Sequence, residues 1–314
     1  MELLLIGMSR FARRRVLPAA AGLSGIKAVN VASAHADAES LCQVPKLART
    51  YDDWRRALRT EEPGLVYVSL VNSEHEAAVR YALDQGHHVV VDKPAFSVPA
   101  VARELVGLAR SRGLVIAEAT CYAFHPVFAR IASLLRAHGT DITKVTAAFT
   151  PPVPPEDFRY ERGKGGGALL DTGPYMASLG RVLWGTEPER LHVIVGERTE
   201  EDLDTSYGVL AGYPGGETIA GQFGFTTGYR NSLVLAGRGI TIEVERPFSA
   251  PPDLVVDIRV DSGGERATHS VPPADSMLLF LSRVIDAVRS GSREFDAALL
   301  SDARTLDRLR SSES

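Results

Sequence analysis

Over residues 1–120 short apolar runs alternate with longer amphipathic stretches, the pattern of strand–helix–strand units feeding a parallel sheet. Five runs read as buried strands: residues 2–6, 26–32, 65–70, 88–91 and 114–117. Helical spacing covers 12–21, 73–85 and 98–111, with Gly86 and the Gly113 turn closing the last two. After the proline-rich residues 151–155, and from Leu191 on, the texture changes to strand-length runs broken by Gly and Pro. These runs, 191–195, 206–212, 218–225, 232–236, 241–245 and 254–260, predict an antiparallel sheet. Helical spacing returns over 275–289 and 296–309, with Leu278, Leu281, Val284, Ile285 and Val288 on one face.

The pattern is that of an α/β protein: an N-terminal Rossmann domain with a doubly wound parallel sheet, then a C-terminal α+β domain on a largely antiparallel open sheet. A chain of 314 residues exceeds the size at which one core stops growing, so two domains are expected, 1–120 and 121–314. With 45% hydrophobic and 24% charged residues, neither disorder nor a membrane span is suggested, and the apolar start at residues 3–6 is too short for a signal peptide. Cys42 and Cys121 show no metal-ligand or C-x-x-C spacing, which fits a reducing, cytoplasmic setting and no bound metal. A net charge of −4 offers no field for nucleic acid or anionic lipid and leaves a small molecule as the expected partner.

The first strand runs into Gly7-Met8-Ser9-Arg10-Phe11-Ala12, where a Rossmann unit carries G-x-G-x-x-G/A. Gly7 suits the tight turn and Ala12 the close packing of helix on strand. Ser9 puts a side chain where backbone approaches a pyrophosphate, although its hydroxyl can itself bond a phosphate oxygen. After the second strand, Ser33-Ala34-His35 offers neither the acid that binds ribose hydroxyls nor an Arg for a 2′-phosphate, so NADP and NAD both stay open. Arg13, Arg14 and Arg15 either steer a phosphate or form a solvated basic face.

Asp92-Lys93-Pro94 follows the strand at 88–91, at the carboxyl edge where open α/β sheets bind ligands. Further on, Gly165-Gly166-Gly167-Ala168-Leu169-Leu170-Asp171-Thr172-Gly173-Pro174-Tyr175 leads into an apolar helix closed by Gly185. Asp171 and Tyr175 are four apart and share a face if the segment is helical, with Pro174 confined to a first turn or a kink.

Taken in order, Asp92-Lys93-Pro94, the stretch from Glu118 through Tyr122 to His125-Pro126, and the glycine-rich segment resemble the motifs of the glucose-fructose oxidoreductase, inositol dehydrogenase and rhizopine-catabolism (Gfo/Idh/MocA) family. The similarity extends to Phe223-Gly224-Phe225 and Tyr229-Arg230-Asn231. In the inositol dehydrogenases the Lys of E-K-P and the Asp and His of D-x-G-x-H-x-x-D carry catalysis. This chain departs at Asp92 in place of Glu, Tyr175 in place of His and Ser178 in place of the second Asp. A tyrosine there resembles the branch of NDP-sugar 3-ketoreductases and dimeric dihydrodiol dehydrogenases, in which Lys and Tyr are the expected pair. That branch also tolerates a non-glycine middle residue before A-x-R-x-x-x-P, here residues 12–18.

The resemblance implies an enzyme: an oxidoreductase that passes a hydride from NADP(H) or NAD(H) to the ketone of a sugar-like substrate, such as an NDP-keto-deoxysugar. Tyr175 would give a proton to the forming alkoxide, Lys93 stabilise its charge, and Asp171 bond a substrate hydroxyl or hold Lys93. A phenol with a reference pKa of about 10 stays protonated at neutral pH and so suits reduction. The expected cofactor residues are Gly7, Ser9, Arg10, Phe11, Ala12, Ser33, His35, Asn72, His75 and Lys93. Tyr122, His125 and Arg159 are expected to meet substrate, and Arg159, Arg162 and Lys164 either bind a diphosphate or belong to a solvated loop. A dihydrodiol-type dehydrogenase, an imine reductase and a non-catalytic ligand sensor remain alternatives, and a homo-oligomer through the C-terminal sheet is implied.

Overall fold

A computed structural model describes residues 1–312. The chain divides into two compact units, and neither is continuous: residues 1–119 join 277–303, while residues 120–276 join the chain from Arg304 on.

The first unit is built on β1 (Glu2–Ile6), β2 (Ala28–Ala32), β3 (Leu47–Tyr51), β4 (Leu65–Val68), β5 (His88–Val91) and β6 (Ile116–Glu118). They pair in parallel in the order β3-β2-β1-β4-β5-β6, the doubly wound order with its switch point between β1 and β4. Every residue of β4 and all but the first of β1 and β5 are buried, because a parallel sheet is covered on both faces and its strands therefore read as unbroken apolar runs. The sequence shows no such run at β3, whose Leu-Ala-Arg-Thr-Tyr is exposed at the sheet edge; it was not among the expected strands.

Short helices α1 (Leu17–Gly22), α2 (Ala38–Cys42) and α3 (Trp54–Thr60) are followed by the longer α4 (His75–Asp84) and α5 (Pro99–Ser111). A π-helical turn, Ala12–Val16, precedes α1 without a break.

The second unit holds an eight-stranded sheet of β7 (Ile142–Phe149), β8 (Arg190–Arg198), β9 (Asp204–Gly212), β10 (Thr218–Gly224), β11 (Asn231–Gly237), β12 (Ile240–Glu245), β13 (Val256–Ser262) and β14 (Glu265–Val271). Its order is β14-β13-β12-β11-β7-β10-β9-β8, antiparallel throughout except for the parallel pair of β7 and β10. Burial alternates along β9 and β12, so one face packs and the other is open. Helices α6 (Pro126–His138), α7 (Ala168–Asp171) and α8 (Gly173–Trp184) pack against this sheet.

The expected continuous second domain, 121–314, is corrected by α9 (Ser276–Ser290) and α10 (Glu294–Ser311). Nearly all of α9 and the first part of α10 belong to the first unit. Leu278 and Ile285 there lie so close to Gly22 and Gly25 that an added Cβ would meet them at 2.9 and 3.3 Å. Arg293 donates to the carbonyl of Leu114 at 2.7 Å, and Asp296, almost fully buried, pairs with Arg110 at 2.6 Å. Helical spacing shows that a face is apolar but not which sheet receives it, hence the misassignment.

Candidate active site

The first unit carries its candidate residues where β1 meets β4. Gly7 has φ +87°, and a Cβ on it would lie 2.2 Å from the carbonyl oxygen of Ser69, so both the turn and the close approach demand glycine. Ser9 is the N-terminal cap of the following helix: its Oγ accepts from the Ala12 amide at 2.9 Å. The same oxygen lies 2.7 Å from Ser69 Oγ. The side chain is therefore turned toward Ser69, which corrects the expectation of a hydroxyl aimed at phosphate. Arg10 and Phe11 are exposed and Ala12 is fully buried. A strand-to-helix turn with its serine folded inward keeps the backbone approach that a dinucleotide's pyrophosphate requires.

Beyond β2, Ser33 is half-buried with its amide held by the Tyr51 carbonyl at 2.9 Å, and His35 is exposed. Arg13 donates to Ser40 Oγ at 3.4 Å, which brings a guanidinium to α2, the helix that follows this loop.

The loop after β5 is anchored on three sides. Asp92 Oδ1 accepts from Tyr67 Oη at 2.5 Å and its Oδ2 from Ser69 Oγ at 2.6 Å. Burial pushes the Asp92 carboxyl up, while those two hydroxyls pull it back. Glu118 accepts from the Ala95 amide at 2.8 Å. His75 is buried, its Nδ1 2.9 Å from the carbonyl of Pro94 and its Nε2 3.1 Å from that of Leu70. Both ring nitrogens are thus occupied by main chain, and His75 braces this loop where a cofactor contact was expected. Between these anchors stands Lys93, half-buried, before a cis peptide to Pro94, and Asn72 opens the short turn that precedes α4.

In the second unit the glycine triplet has an intramolecular reason. A Cβ on Gly166 would lie 2.5 Å from the Arg159 carbonyl oxygen, and one on Gly167, at φ +110°, would lie 2.6 Å from Asp204 Oδ1. The amides of Gly166 and Gly167 donate to the carbonyls of Glu161 and Arg159 at 3.0 and 2.9 Å, and Asp204 Oδ2 accepts from the Leu169 amide at 2.6 Å, at the start of α7. The triplet thus wraps the 159–161 loop and presents Arg159 to Asp171, with Nε 2.9 Å from Oδ1. Nη1 of Arg159 donates to Asp157 Oδ1 at 2.9 Å.

Engaged by two carboxylates, Arg159 is not the open anion receptor that was expected. Arg162 donates to the Asp202 carbonyl at 2.5 Å, and Lys164 pairs with Glu161 at 2.8 Å. The expected Asp171–Tyr175 helical face is broken at Thr172, between α7 and α8, and Pro174 occupies the first turn of α8 where its missing N–H costs nothing.

Tyr175 stands among aromatic rings: centroids lie 4.6 Å away at Phe149, 5.6 Å at Phe248 and 5.8 Å at Tyr122. Burial is the main force holding its phenol well above the ordinary range; Cys121 and Asp171 add to it, and Arg159 pulls the other way. The group keeps its proton at neutral pH. Tyr122 is 2% exposed and its Oη lies 2.8 Å from Ser178 Oγ, so it forms a wall beside Tyr175 where a substrate contact was expected. His125, also buried, caps α6 by accepting from the Val127 amide on Nδ1 at 3.2 Å. Among the described residues no cluster of three His, Cys, Asp or Glu is arranged to hold a metal. Tyr67, Ser69, Phe149 and Phe248 were not anticipated. They sit on or next to strands remote in sequence from the motifs they support, and only the pairing of strands reveals them.

The model of an oxidoreductase family with an NAD-binding Rossmann fold matches residues 1–120, and that of the GFO/IDH/MocA C-terminal domain matches 137–243. A dTDP-3,4-didehydro-2,6-dideoxy-α-D-glucose 3-reductase of Saccharopolyspora spinosa is 29% identical over 305 residues, 95% of this chain and 90% of its own. A trans-1,2-dihydrobenzene-1,2-diol dehydrogenase of Bos taurus is 30% identical over 233 residues, 73% of this chain and 67% of its own. Among solved structures, the 3-ketoreductase KijD10 of Actinomadura kijaniata, in complex with NADP and TDP-benzene, superposes with a TM-score of 0.93 at 24% identity, covering 100% of this chain and 98% of its own.

Proposed function

The chain belongs to the Gfo/Idh/MocA oxidoreductase family, and from that premise we propose that it reduces a ring ketone of a sugar-like substrate, with Tyr175 as the proton donor. The observation that carries the reading is the phenol itself: half-buried among Phe149, Phe248 and Tyr122, held in its protonated form by burial, at the position where relatives of the inositol type carry histidine. The bound nicotinamide supplies the hydride. Gly7 and the helix N-terminus beyond Ser9 receive its pyrophosphate, since the inward turn of Ser9 leaves the backbone open to it. Ser33 in place of an acid after β2, with Arg13 reaching Ser40 on the helix that follows, favours a cofactor carrying a 2′-phosphate, that is NADP.

Lys93 brings an ammonium to the carboxyl edge of the sheet, where it stabilises the developing alkoxide. Tyr175 then yields its proton, and Asp171, neutralised by Arg159, orients a neighbouring substrate hydroxyl.

The names of the 3-reductase relatives make an NDP-keto-deoxysugar the first substrate to try, and a dihydrodiol the second. With Arg159 on Asp157 and Asp171, Arg162 on the Asp202 carbonyl and Lys164 on Glu161, a diphosphate would have to be met elsewhere. Ile194 and Leu210, 66% and 52% exposed on adjoining strands of the open sheet, support pairing of subunits through that face. Neither cysteine is in a disulfide, in keeping with a cytoplasmic setting. The test is fluorescence titration with NADPH and NADH, then turnover of a dTDP-linked 3-keto sugar and of a trans-dihydrodiol. Binding of neither cofactor would end the oxidoreductase reading.

A further inference from the structure

Asp92, Ser69 and Ser9 form one directed hydrogen-bond chain. Asp92 Oδ2 accepts from Ser69 Oγ at 2.6 Å, and Ser69 Oγ lies 2.7 Å from Ser9 Oγ. A hydroxyl carries a single proton. With Ser69's proton spent on the carboxylate, the proton between the serines belongs to Ser9. Ser9 Oγ in turn accepts from the Ala12 amide at 2.9 Å, so one line of donors runs from the first turn of the helix to the carboxylate at the end of β5. Tyr67 Oη fills the other carboxylate oxygen at 2.5 Å. The main chain repeats the link: Ser69's amide donates to Ile6 at 2.8 Å, Asp92's to Val68 at 3.0 Å, and Gly7 admits Ser69's carbonyl where any Cβ would stop it.

We propose that Ser69 and Asp92 are positioning residues for the cofactor turn: through Ser9 they fix the turn after β1 to the strand end that presents Lys93. The proposal rests on the nicotinamide-dependent reading above. It accounts for serine at the position where the dinucleotide fingerprint has glycine, since Ser9 spends its proton inward and the phosphate is left to backbone N–H groups. It also gives Asp92, which stands in place of the glutamate of E-K-P, work apart from the chemistry of Lys93. Charge-assisted hydrogen bonds of this kind are stronger than neutral ones, so the chain's hold on the turn depends on the carboxylate at its end.

The test is a double-mutant cycle read in cofactor affinity. Ser9→Ala and Ser69→Ala should each raise the Kd for NADPH by about 5- to 30-fold, the value of one lost hydrogen bond to a charged network. The double variant should be no more than about twofold weaker than the worse single, because both changes break the same chain. Asp92→Asn, which keeps volume, should match Ser69→Ala, and Asp92→Glu should recover part of the loss. Hydrogen exchange of the amides of residues 7–13 in the cofactor-free protein should quicken in all of these, and least in Asp92→Glu. In turnover the KM for cofactor should rise while kcat holds, a split that general loss of folding would not produce.

Changes in Kd below twofold, or losses that multiply in the double variant, overturn the proposal while leaving the enzyme reading intact. If the unaltered protein binds neither cofactor, both fall together. Should Ser69→Ala fail to fold, Asp92→Asn paired with Ser9→Ala runs the same cycle.

Discussion

Nε of Arg159 lies 2.9 Å from Oδ1 of Asp171, and that carboxylate stands four residues before Tyr175 on the segment shaped by the glycine triplet. Two opposite charges therefore act on one phenol from the same place. Asp171 raises its pKa and Arg159 lowers it, so the acidity of the proton donor is set by the balance of the pair.

Removing either partner should move the proton in opposite directions. Arg159→Leu leaves Asp171 uncompensated and pushes the Tyr175 phenol further up, so the alkaline limb of the pH–rate profile shifts to higher pH. Asp171→Asn shifts it to lower pH. Because the Asp171 side chain is only 10% exposed and that of Arg159 28%, Arg159→Leu should also cost about 2–3 kcal/mol in urea unfolding, somewhat less than a fully buried pair. Shifts of the same sign in both variants would contradict the pairing.

Tyr175→Phe keeps the ring among Phe149, Phe248 and Tyr122 and deletes only the hydroxyl. Turnover should fall by roughly 10²- to 10⁴-fold, with cofactor affinity unchanged in fluorescence titration. Lys93→Met should lower turnover by a similar factor. Near-normal rates in both would remove the acid–base assignment.

Phenols in the second unit make folding sensitive to alkali. Tyr175, Tyr207 and Tyr213 all have pKa values raised above 10, chiefly by burial. A folded pKa above the unfolded one contributes stability in full below the unfolded pKa near 10, and loses it as pH climbs from there toward the folded value. Each group weakens the fold by about 1.4 kcal/mol per pH unit in that window. Urea midpoints should therefore drop steeply above pH 10, and Tyr213→Phe should make the slope shallower by about 1.4 kcal/mol per pH unit while leaving stability at pH 8 little changed.

Arg13 reaches Ser40 across the loop after β2. Arg13→Ala should weaken NADPH by about 5- to 10-fold and NADH by less than twofold, as expected if a 2′-phosphate loses one charged partner. Equal losses for the two cofactors would place the 2′-phosphate elsewhere.

The motifs were legible because each is local. Strand, turn and helix at 2–21, the lysine after β5, and a tyrosine following glycines are all read from neighbouring residues. What the sequence hid is pairwise and distant. Ser9 was expected to face phosphate, and only the adjacency of β1 and β4 shows that Ser69 claims its hydroxyl. Arg159 carried the chemistry of an anion receptor, but Asp157 and Asp171 close on it once the glycines fold the loop. β3 and β14 escaped notice because an edge strand needs no apolar run, and β7 because Thr143, Lys144 and Thr146 on its exposed positions leave it no continuous apolar run.

The return of residues 277–303 to the first unit has a consequence for how the protein is made. Gly22 and Gly25 are the seats for Leu278 and Ile285, and Arg110 waits for Asp296, so the cofactor unit lacks its closing helices until the chain has been made through residue 303. The first unit is completed only after the whole sheet of the second has been made, and a nascent chain halted after β14 carries a cofactor fold with its seats bare.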